Sequence, residues 1–475
     1  MLQTTRRAAL GVLAAACLAL TGPAVQAAPA SATAQADRWQ IPVHVKTLAN
    51  GLTVVISPDA SSPTVGISVV YKVGMRLEPQ NRTGFAHLFE HLMFQGTPTA
   101  PKGVFDKVIT SGGGNNNGST RPDFTNYIET APSSSLEAML WLEADRMKTL
   151  DFNPATLKNQ QDVVKEEIRV NVQNQPYGGF MWLDISALAF DKWANKHDGY
   201  GSFVDLENAN LDDVRAFHRD FYGPNNAVLA IAGDVTPAQG FALAEKYFGK
   251  IAARAAPKPS DFREGLNTAE RRLTQADKLA QVPAIAAAWK LPERGSKDQA
   301  PFAVLGQLLA GGDASRLYQG LVKGRELALN LDSLYGLTSV WEYDGPSLFT
   351  VFALYKPSSS ADALLAGMDE EIARIVKDGV DDATLNNLKT ALLADWNNDL
   401  EMFLRRADRL AKLQALWGDA HVVNQVPGWI AGVTSADVQR VATTYLTRAN
   451  RSVIDRKPAA MLAPPAPAAS AASKP

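Results

Sequence analysis

Cysteine is nearly absent from the chain, whose 475 residues include only Cys17, close to the N-terminus. A single cysteine cannot form an internal disulfide, so stability has to come from packing. Removal of an N-terminal leader would leave no thiol for nucleophilic catalysis or metal binding. A metal site in the mature chain would therefore have to use histidine, aspartate and glutamate.

The sequence also has no excess of basic residues and no long apolar run beyond its N-terminus. Its formal net charge is -2 and its isoelectric point is near 6.3, so we expect no binding to nucleic acid or to anionic lipid. No later apolar run reaches the roughly 18 residues that a membrane-spanning helix needs. With 46% hydrophobic residues, the chain can form two or three globular domains.

The N-terminus has the parts of a secretory signal peptide. Arg6 and Arg7 form a short basic region, an apolar run follows, and the small residues around Ala27 offer a cleavage site. We therefore expect cleavage after Ala27 and export to the periplasm. A lipid anchor or an extracellular location is the less favoured alternative.

Changes in composition divide the sequence into segments. The stretch "ARAAPKPSDFREG" is rich in alanine, proline and charge and has no periodicity, so it is the best linker candidate. We expect, in order, a signal peptide (1–27), a disordered spacer (28–40), a first domain (41–252), a linker (253–266), a second domain (267–456) and a disordered Pro/Ala tail (457–475).

Histidine is scarce as well, but two of the six histidines stand in "GFAHLFEHLMFQG" (84–96). On a helix, His87 and His91 lie about 40° apart, and Glu90 falls within about 60° of His87. Histidines four residues apart can direct ring nitrogens at one ion, while the carboxylate between them reaches a water held there. The H-x-x-E-H order therefore predicts a zinc site with Glu90 as general base.

The alternative for this motif is a coincidental or merely helix-stabilising set of polar residues. The remaining histidines are isolated in the sequence, and we interpret them as structural: His44, His197, His218 and His421.

A third ligand is expected from the helical segment "NPATLKNQQDVVKEEIRVNVQNQP", which contains Glu166 and Glu167. On a helical wheel, Glu167 falls within the arc of apolar residues and Glu166 on its outer flank. An inward carboxylate is costly unless it is paired or bound to metal, so Glu167 is the better candidate. A salt-bridged glutamate in a packing face is the alternative. Gln160 projects from the same face.

The two halves of the chain look related. In each half a strand-like segment is followed by a helical one: "TVGISVVYKVG" by "GFAHLFEHLMF", and "VPAIAAAWKLP" by "PFAVLGQLLAGG". Aligning Phe85 with Phe302 sets Val304, Gln307 and Leu308 against His87, Glu90 and His91. The pattern indicates a duplicated α+β fold with its chemistry in the first half only.

These motifs resemble those of the pitrilysin family of zinc peptidases. The similarity covers about residues 41–456 and includes the H-x-x-E-H order, the later glutamate, and the stretches "NQPYG", "NGSTRPDFTNY" and "LEAMLWLEADRM". The resemblance implies one Zn²⁺ per chain on His87, His91 and Glu167, with Glu90 as catalytic base. It also implies two homologous α+β domains, each an antiparallel-rich sheet packed with helices. The length is similar to that of the short, two-domain branch, which includes the mitochondrial processing peptidase subunits.

Two positions depart from the family's pattern. The family usually has a glutamate seven residues before the third ligand, where this chain has Gln160, which cannot act as a carboxylate base. An arginine and a tyrosine that the half without zinc contributes to substrate binding are replaced here by Val322 and Leu329. Arg316 and Tyr318 lie nearby at a different spacing, and we interpret them as structural. We therefore predict that a second, homologous subunit supplies the pair, although a homodimer remains possible.

The glycine-rich stretch "SGGGNNNGST" (111–120) lies just before the predicted edge strand. By resemblance, substrate would add to that strand through main-chain hydrogen bonds, with Asn117 and Gly118 nearest the scissile bond. The alternative is a flexible turn without a role in binding.

Together these features predict a zinc-dependent endopeptidase that cleaves peptides or unfolded protein segments in an enclosed chamber. Its expected partners are the peptide substrate and a homologous second subunit. The alternative is a non-catalytic scaffold or binding subunit of the same fold, which Gln160 and the missing pair favour. Such scaffolds generally lose the metal-binding residues, and this chain retains them.

Overall fold

The computed structural model describes residues 40–257 and 260–462. The predicted signal peptide, nearly all of the predicted spacer and residues 463–475 of the predicted tail lie outside the described residues. Within the described ranges, no helix combines the length and the apolar character that a membrane crossing requires.

The first half forms a six-stranded sheet in the order β1-β2-β6-β3-β5-β4. Its neighbouring strands are antiparallel except for the parallel pair β2 and β6. The polar strand β4 therefore lies at one edge of this sheet. The strands are β1 (His44–Thr47), β2 (Thr53–Pro58), β3 (Thr64–Tyr71), β4 (Asn115–Thr120), β5 (Thr125–Pro132) and β6 (Ala227–Gly233).

The second half forms a five-stranded sheet in the order β7-β11-β8-β10-β9. The strands are β7 (Arg271–Asp277), β8 (Ala284–Lys290), β9 (Ala328–Tyr335), β10 (Leu348–Tyr355) and β11 (Arg451–Pro458). Pairing of β11 with β7 continues to Pro458 opposite Asp277. A short helix follows, so regular structure extends past residue 456, where the second domain was expected to end.

The two sheets repeat one topology. The order β2-β6-β3-β5-β4 corresponds strand by strand to β7-β11-β8-β10-β9, and the single parallel pair occupies the same place in each. The helix after β3 therefore corresponds to the helix after β8, as the aligned segments of the sequence indicate. The six- and five-stranded sheets with their helices form a two-domain α+β fold.

Helices surround both sheets. In chain order they are α1 (Phe85–Leu92), α2 (Val104–Ser111), α3 (Leu136–Lys148), α4 (Pro154–Ile168), α5 (Ile185–Ala189), α6 (Trp193–Lys196), α7 (Phe203–Asn208), α8 (Leu211–Phe221), α9 (Pro237–Phe248), α10 (Gln299–Ala310), α11 (Ala361–Asp378), α12 (Asp382–Glu401), α13 (Phe403–Trp417), α14 (Val422–Ala431), α15 (Ser435–Tyr445) and α16 (Ala459–Leu462). Three π-helical segments are Arg169–Gln173, Phe180–Asp184 and Tyr318–Gly324.

Helix α13, from the second half, covers one face of the first sheet. It approaches β3 so closely that a Cβ atom on Gly66 would lie 2.4 Å from the backbone of Leu404. Asp408 accepts hydrogen bonds from Ser68 Oγ at 3.0 Å and Asn126 Nδ2 at 2.7 Å. Small and hydroxyl residues on the sheet thus allow a helix to pack at short distance and to be held by the half-buried carboxylate of Asp408.

The first half covers the second sheet in return. Phe180, Ile185 and Ala189 pack against a row of alanines that includes Ala286 and Ala288 of β8. Residues 253–257 and 260–266, the described part of the predicted linker, contain neither helix nor strand. Each half therefore supplies part of the other half's core, and the linker is not the only connection between them.

Candidate metal centre

The helix that carries the H-x-x-E-H motif begins at a buried carboxylate. Gly84, with φ of 78°, precedes α1, and Glu78 accepts hydrogen bonds from the backbone N–H groups of Gly84 at 3.0 Å and Ala86 at 2.8 Å. Unpaired N–H groups at a helix N-terminus favour a negative charge, so Glu78 satisfies them. His197 Nε2 donates to the same carboxylate at 3.0 Å.

The three predicted ligands converge on one point. The ring nitrogens Nε2 of His87 and His91 lie 3.3 Å apart. Glu167 Oε2 lies 3.6 Å from His87 Nε2 and 3.2 Å from His91 Nε2. Among the described residues, this is the group of three side chains whose donor atoms all lie within 4.8 Å of one another.

Glu167 reaches the site from α4, which begins at Asn153 and Pro154 with a side-chain cap on the N–H of Thr156. Its neighbour Glu166 points outward and pairs with Arg169 at 3.0 Å. Glu167, not Glu166, is therefore the glutamate of this pair that faces the histidines.

Glu90 is a residue of α1, and its carboxylate lies beside the three donors and against β4. Its Oε2 accepts a hydrogen bond from Thr120 Oγ1 at 2.6 Å. Its Oε1 faces Gly118, because a Cβ atom on that glycine would lie 3.1 Å from this oxygen. One oxygen of Glu90 is thus held in place, and the other lies along the edge strand.

Electrostatics place two of the three donors, His87 and Glu167, in the protonation states that a metal requires. Burial, followed by the charge of His91, lowers the pKa of His87 to about 4, so its imidazole is neutral at neutral pH. The hydrogen bond with His91 lowers the pKa of Glu167 to about 2. Metal ligands have to be deprotonated, and a neutral imidazole and an ionised carboxylate meet that condition. The donor set of two imidazoles and one carboxylate fits a catalytic zinc ion.

His91 and Glu90 both have raised pKa values. Burial works against the charged form of His91, but the hydrogen bond with Glu167 and the charge of Glu90 outweigh it. Burial also raises the pKa of Glu90, although the hydrogen bond from Thr120 opposes the shift.

Gln160 is buried near the histidines, and its amide donates to Asn159 Oδ1 at 2.8 Å. The two residues at the positions of the missing pair lie in the second half. Val322 belongs to the π-helical segment Tyr318–Gly324, and Leu329 is an exposed residue of β9. Neither side chain can donate a hydrogen bond to a substrate.

Asn117 and Gly118 lie within β4, not in a loop before it. They pair with Ile128 and Tyr127 of β5, and the other side of β4 is the edge of the sheet in the described residues. Gly118 lies next to Glu90, whereas Asn117 is exposed.

Sequence reasoning missed Tyr200, Thr120 and the pair formed by Glu78 and His197. Tyr200 donates its hydroxyl to Glu167 Oε1 at 2.8 Å. These residues have no motif spacing relative to the ligands, and in the sequence His197 is an isolated histidine with a structural interpretation. Only the folded chain brings them to the site.

A two-domain α+β chain with an H-x-x-E-H helix beside an edge strand has the architecture of a pitrilysin-type peptidase. Residues 53–184 match the family profile described as Insulinase (Peptidase family M16), and residues 208–392 match the profile described as Peptidase M16 inactive domain. The chain belongs to peptidase family M16, the pitrilysin family, which confirms the resemblance seen in the sequence.

Known proteins agree with this assignment. The zinc protease PqqE of Helicobacter pylori is 28% identical over 429 residues, which are 88% of this chain and 94% of that protein. The crystal structure of a protease from Helicobacter pylori has a TM-score of 0.82 at 27% identity and covers 88% of this chain and 100% of its own. The first half of the periplasmic protease PqqL from Escherichia coli shares the fold, with a TM-score of 0.69 at 19% identity over 87% of this chain and 92% of its own. The predicted α+β fold class is confirmed.

Proposed function

We propose that the protein is a zinc-dependent endopeptidase that hydrolyses peptides or unfolded protein segments. The observation that carries the proposal is the convergence of His87, His91 and Glu167 on one point, with Glu90 directly beside it. Relatives that match this chain over most of their own length are called zinc proteases, and this supports the same chemistry.

His87, His91 and Glu167 would hold the zinc ion through Nε2, Nε2 and Oε2. When bound by three protein ligands, zinc polarises the scissile carbonyl and lowers the pKa of a water to roughly 7. His87 and Glu167 are already deprotonated at neutral pH, so neither has to lose a proton before metal binds.

Glu90 is the proposed general base. Its Oε2 is held by Thr120, while Oε1 is directed along β4, where a substrate would lie. Glu90 takes a proton from the attacking water and passes it to the leaving amine nitrogen. Because burial raises the pKa of Glu90, the protonated form needed for the second step is easier to reach.

The substrate would bind as an additional strand on β4. The free edge of this strand offers main-chain donors and acceptors to an extended peptide without selecting its side chains. Asn117 and Gly118 would lie nearest the scissile bond, because Gly118 lies beside Oε1 of Glu90, the oxygen that Thr120 does not hold. Only an extended, unfolded segment can pair in this way.

A second, homologous subunit would complete the site. The chain has Val322 and Leu329 where a substrate-binding arginine and tyrosine would otherwise stand, and neither can bind a developing negative charge. A partner of the same fold would supply the pair and close a chamber over the substrate, most simply in a heterodimer.

The proposed location is the periplasm. The N-terminal sequence has the parts of a signal peptide, and the E. coli protein of the same fold is called a periplasmic protease.

Copurification from the native source tests this proposal. The isolated chain should cleave unstructured peptides weakly, and addition of the copurifying homologous subunit should raise the rate. Full activity from a homogeneous preparation of this chain alone would contradict the need for a partner.

A Glu90→Gln variant tests whether the measured cleavage arises from this site. We expect it to keep its zinc and to lose cleavage by a factor of about 100 or more, since general-base catalysis contributes roughly 10² to 10⁴ in rate. The preparation is assayed with the same companion subunit as the wild type. Unchanged cleavage by Glu90→Gln would refute the peptidase proposal.

A scaffold subunit is the second candidate, because Gln160 is a buried neutral amide where family members usually have a glutamate. Zinc analysis distinguishes the two functions. A scaffold has no need of stoichiometric zinc, whereas the proposed peptidase requires it.

A further inference from the structure

Glu167 depends on its surroundings more than the other two proposed ligands. It comes from α4, whereas both histidines come from α1, and its side chain is 30% exposed. A carboxylate can offer either oxygen or both to a metal ion. Something must therefore fix which oxygen of Glu167 faces the histidines.

Tyr200 fixes which oxygen of Glu167 faces the histidines. Its hydroxyl donates to Glu167 Oε1 at 2.8 Å, and Asn171 Nδ2 lies 3.4 Å from the same oxygen. The other oxygen, Oε2, is the one that faces His87 and His91. One carboxylate oxygen is thus committed to protein donors, and one is left for the ion.

Tyr200 is itself fixed to the helix that carries the histidines. Its ring lies 4.9 Å from the ring of His87 and meets that of Trp182 edge-on at 5.1 Å. The next residue, Gly201, packs against the backbone just before α1, where a Cβ atom on Gly84 would lie 2.5 Å from Gly201 Cα. The position of the hydroxyl is therefore set relative to both histidines.

We propose that Tyr200 is a positioning residue that holds Glu167 as a one-oxygen zinc ligand, an inference that rests on the proposed zinc site. Partners of this kind orient metal ligands in many proteins. A carboxylate restricted to one oxygen would contribute a single ligand atom beside the two imidazoles and would leave a position for water. Tyr200 acts through Glu167 and does not contact the substrate.

The test compares Tyr200→Phe with Tyr247→Phe in the full-length protein. Tyr200→Phe keeps the ring against His87 and Trp182 and removes only the hydroxyl. Tyr247 donates its hydroxyl to Glu137 Oε1 at 2.7 Å in the same half, so its variant is a matched control for the loss of a tyrosine–glutamate hydrogen bond. Zinc affinity is measured by competition with a chelator. We expect the Kd of Tyr200→Phe to rise by roughly 10 to 100-fold and that of Tyr247→Phe to stay unchanged.

Cobalt substitution gives a second readout. When the Tyr200 hydroxyl is removed, Glu167 can bind through both oxygens, and the higher coordination number should weaken the visible absorption of the Co²⁺ protein. Asn171→Ala alters an exposed side chain and should fold normally. It should weaken zinc binding in the same direction by a smaller factor, because its contact with Glu167 is longer.

Equal zinc affinity and equal cobalt spectra in wild type and Tyr200→Phe would overturn this inference. A loss of cleavage at saturating zinc with both readouts unchanged would also overturn it, because the hydroxyl would then act on substrate. If the wild type itself binds no zinc, the proposed function fails instead.

Discussion

Burial affects the histidines of this protein in different ways. It lowers the pKa of His87 to about 4 and that of His218 to about 3, because a buried imidazolium lacks water and has a positive neighbour in each case. For His197, burial acts in the same direction, but the hydrogen bond to Glu78 outweighs it and raises the pKa. The proposed metal donor His87 is therefore neutral, and His218 is a neutral core residue.

His218 should make the protein sensitive to acid. Its pKa in the folded state is below its ordinary value of 6.5, so its contribution to stability is complete above pH 6.5 and is lost as pH falls toward 3. The loss approaches about 1.4 kcal/mol for each pH unit within that window. His218→Phe keeps an aromatic ring beside Phe89 and Tyr222 but cannot take up a proton.

Urea unfolding at pH 7 and pH 5 checks this prediction. The stability that the wild type loses between these pH values should exceed the loss in His218→Phe by about 2 kcal/mol. The comparison uses the change with pH, so a constant cost of the substitution cancels. Parallel pH dependence in both proteins would show that His218 is not buried as the neutral form.

At this scale the sequence predicts His87, Glu90, His91 and Glu167, because ligand spacing and helical periodicity are local properties. Tyr200 and Thr120 reach the site through tertiary contacts 33 and 30 residues away along the chain. Local patterns contain no information on such contacts, so these residues could not be predicted.

At the scale of elements, the site is the junction of α1, α4 and β4. The sequence indicates both helices, and it predicts the edge strand directly after "SGGGNNNGST" (111–120). The structure has two strands here, because residues between Thr120 and Thr125 form a turn in which Arg121 N donates to Phe124 O at 2.8 Å. Proline at position 122 cannot donate to a sheet ladder, which accounts for the interruption.

Gly118→Ala tests how closely β4 and Glu90 fit. The added Cβ would lie 3.1 Å from both Glu90 Oε1 and Phe94 Cε2, so Glu90 would have to shift by a few tenths of an ångström. Small displacements of a catalytic group cost activity, and we expect kcat/KM to fall about tenfold with zinc content unchanged.

Gly428→Ala is the control for that substitution. Gly428 lies in α14, and a Cβ atom there would meet no atom within 4 Å. This variant should keep wild-type activity. Wild-type kcat/KM in Gly118→Ala would mean that β4 does not limit the position of Glu90.

At the scale of the whole molecule, each half covers a face of the other half's sheet, which is an exchange of packing elements between the halves. α13 lies on one face of the first sheet, and the segment around α5 lies on a face of the second sheet. The sequence predicts the duplication, since both halves repeat a strand followed by a helix. It does not predict the exchange, because largely apolar strands such as β6 and β8 show only that both faces are buried.

The exchange predicts that neither half is stable alone. A fragment of residues 40–257 would expose the face that α13 covers, including Val70, Val228 and Ala230. We expect it to bind a hydrophobic dye and to aggregate, whereas coexpression with residues 260–462 should restore a soluble complex. Cooperative unfolding of the isolated first fragment as a soluble monomer would contradict the prediction.

Zinc content is the most direct test of the central claim that two helices bring three donors to one metal ion. Wild-type protein, dialysed after purification, should retain about one zinc ion per chain, and Glu167→Ala should retain far less while remaining folded. A wild-type protein without zinc, or a Glu167→Ala variant with as much zinc as the wild type, would contradict the account.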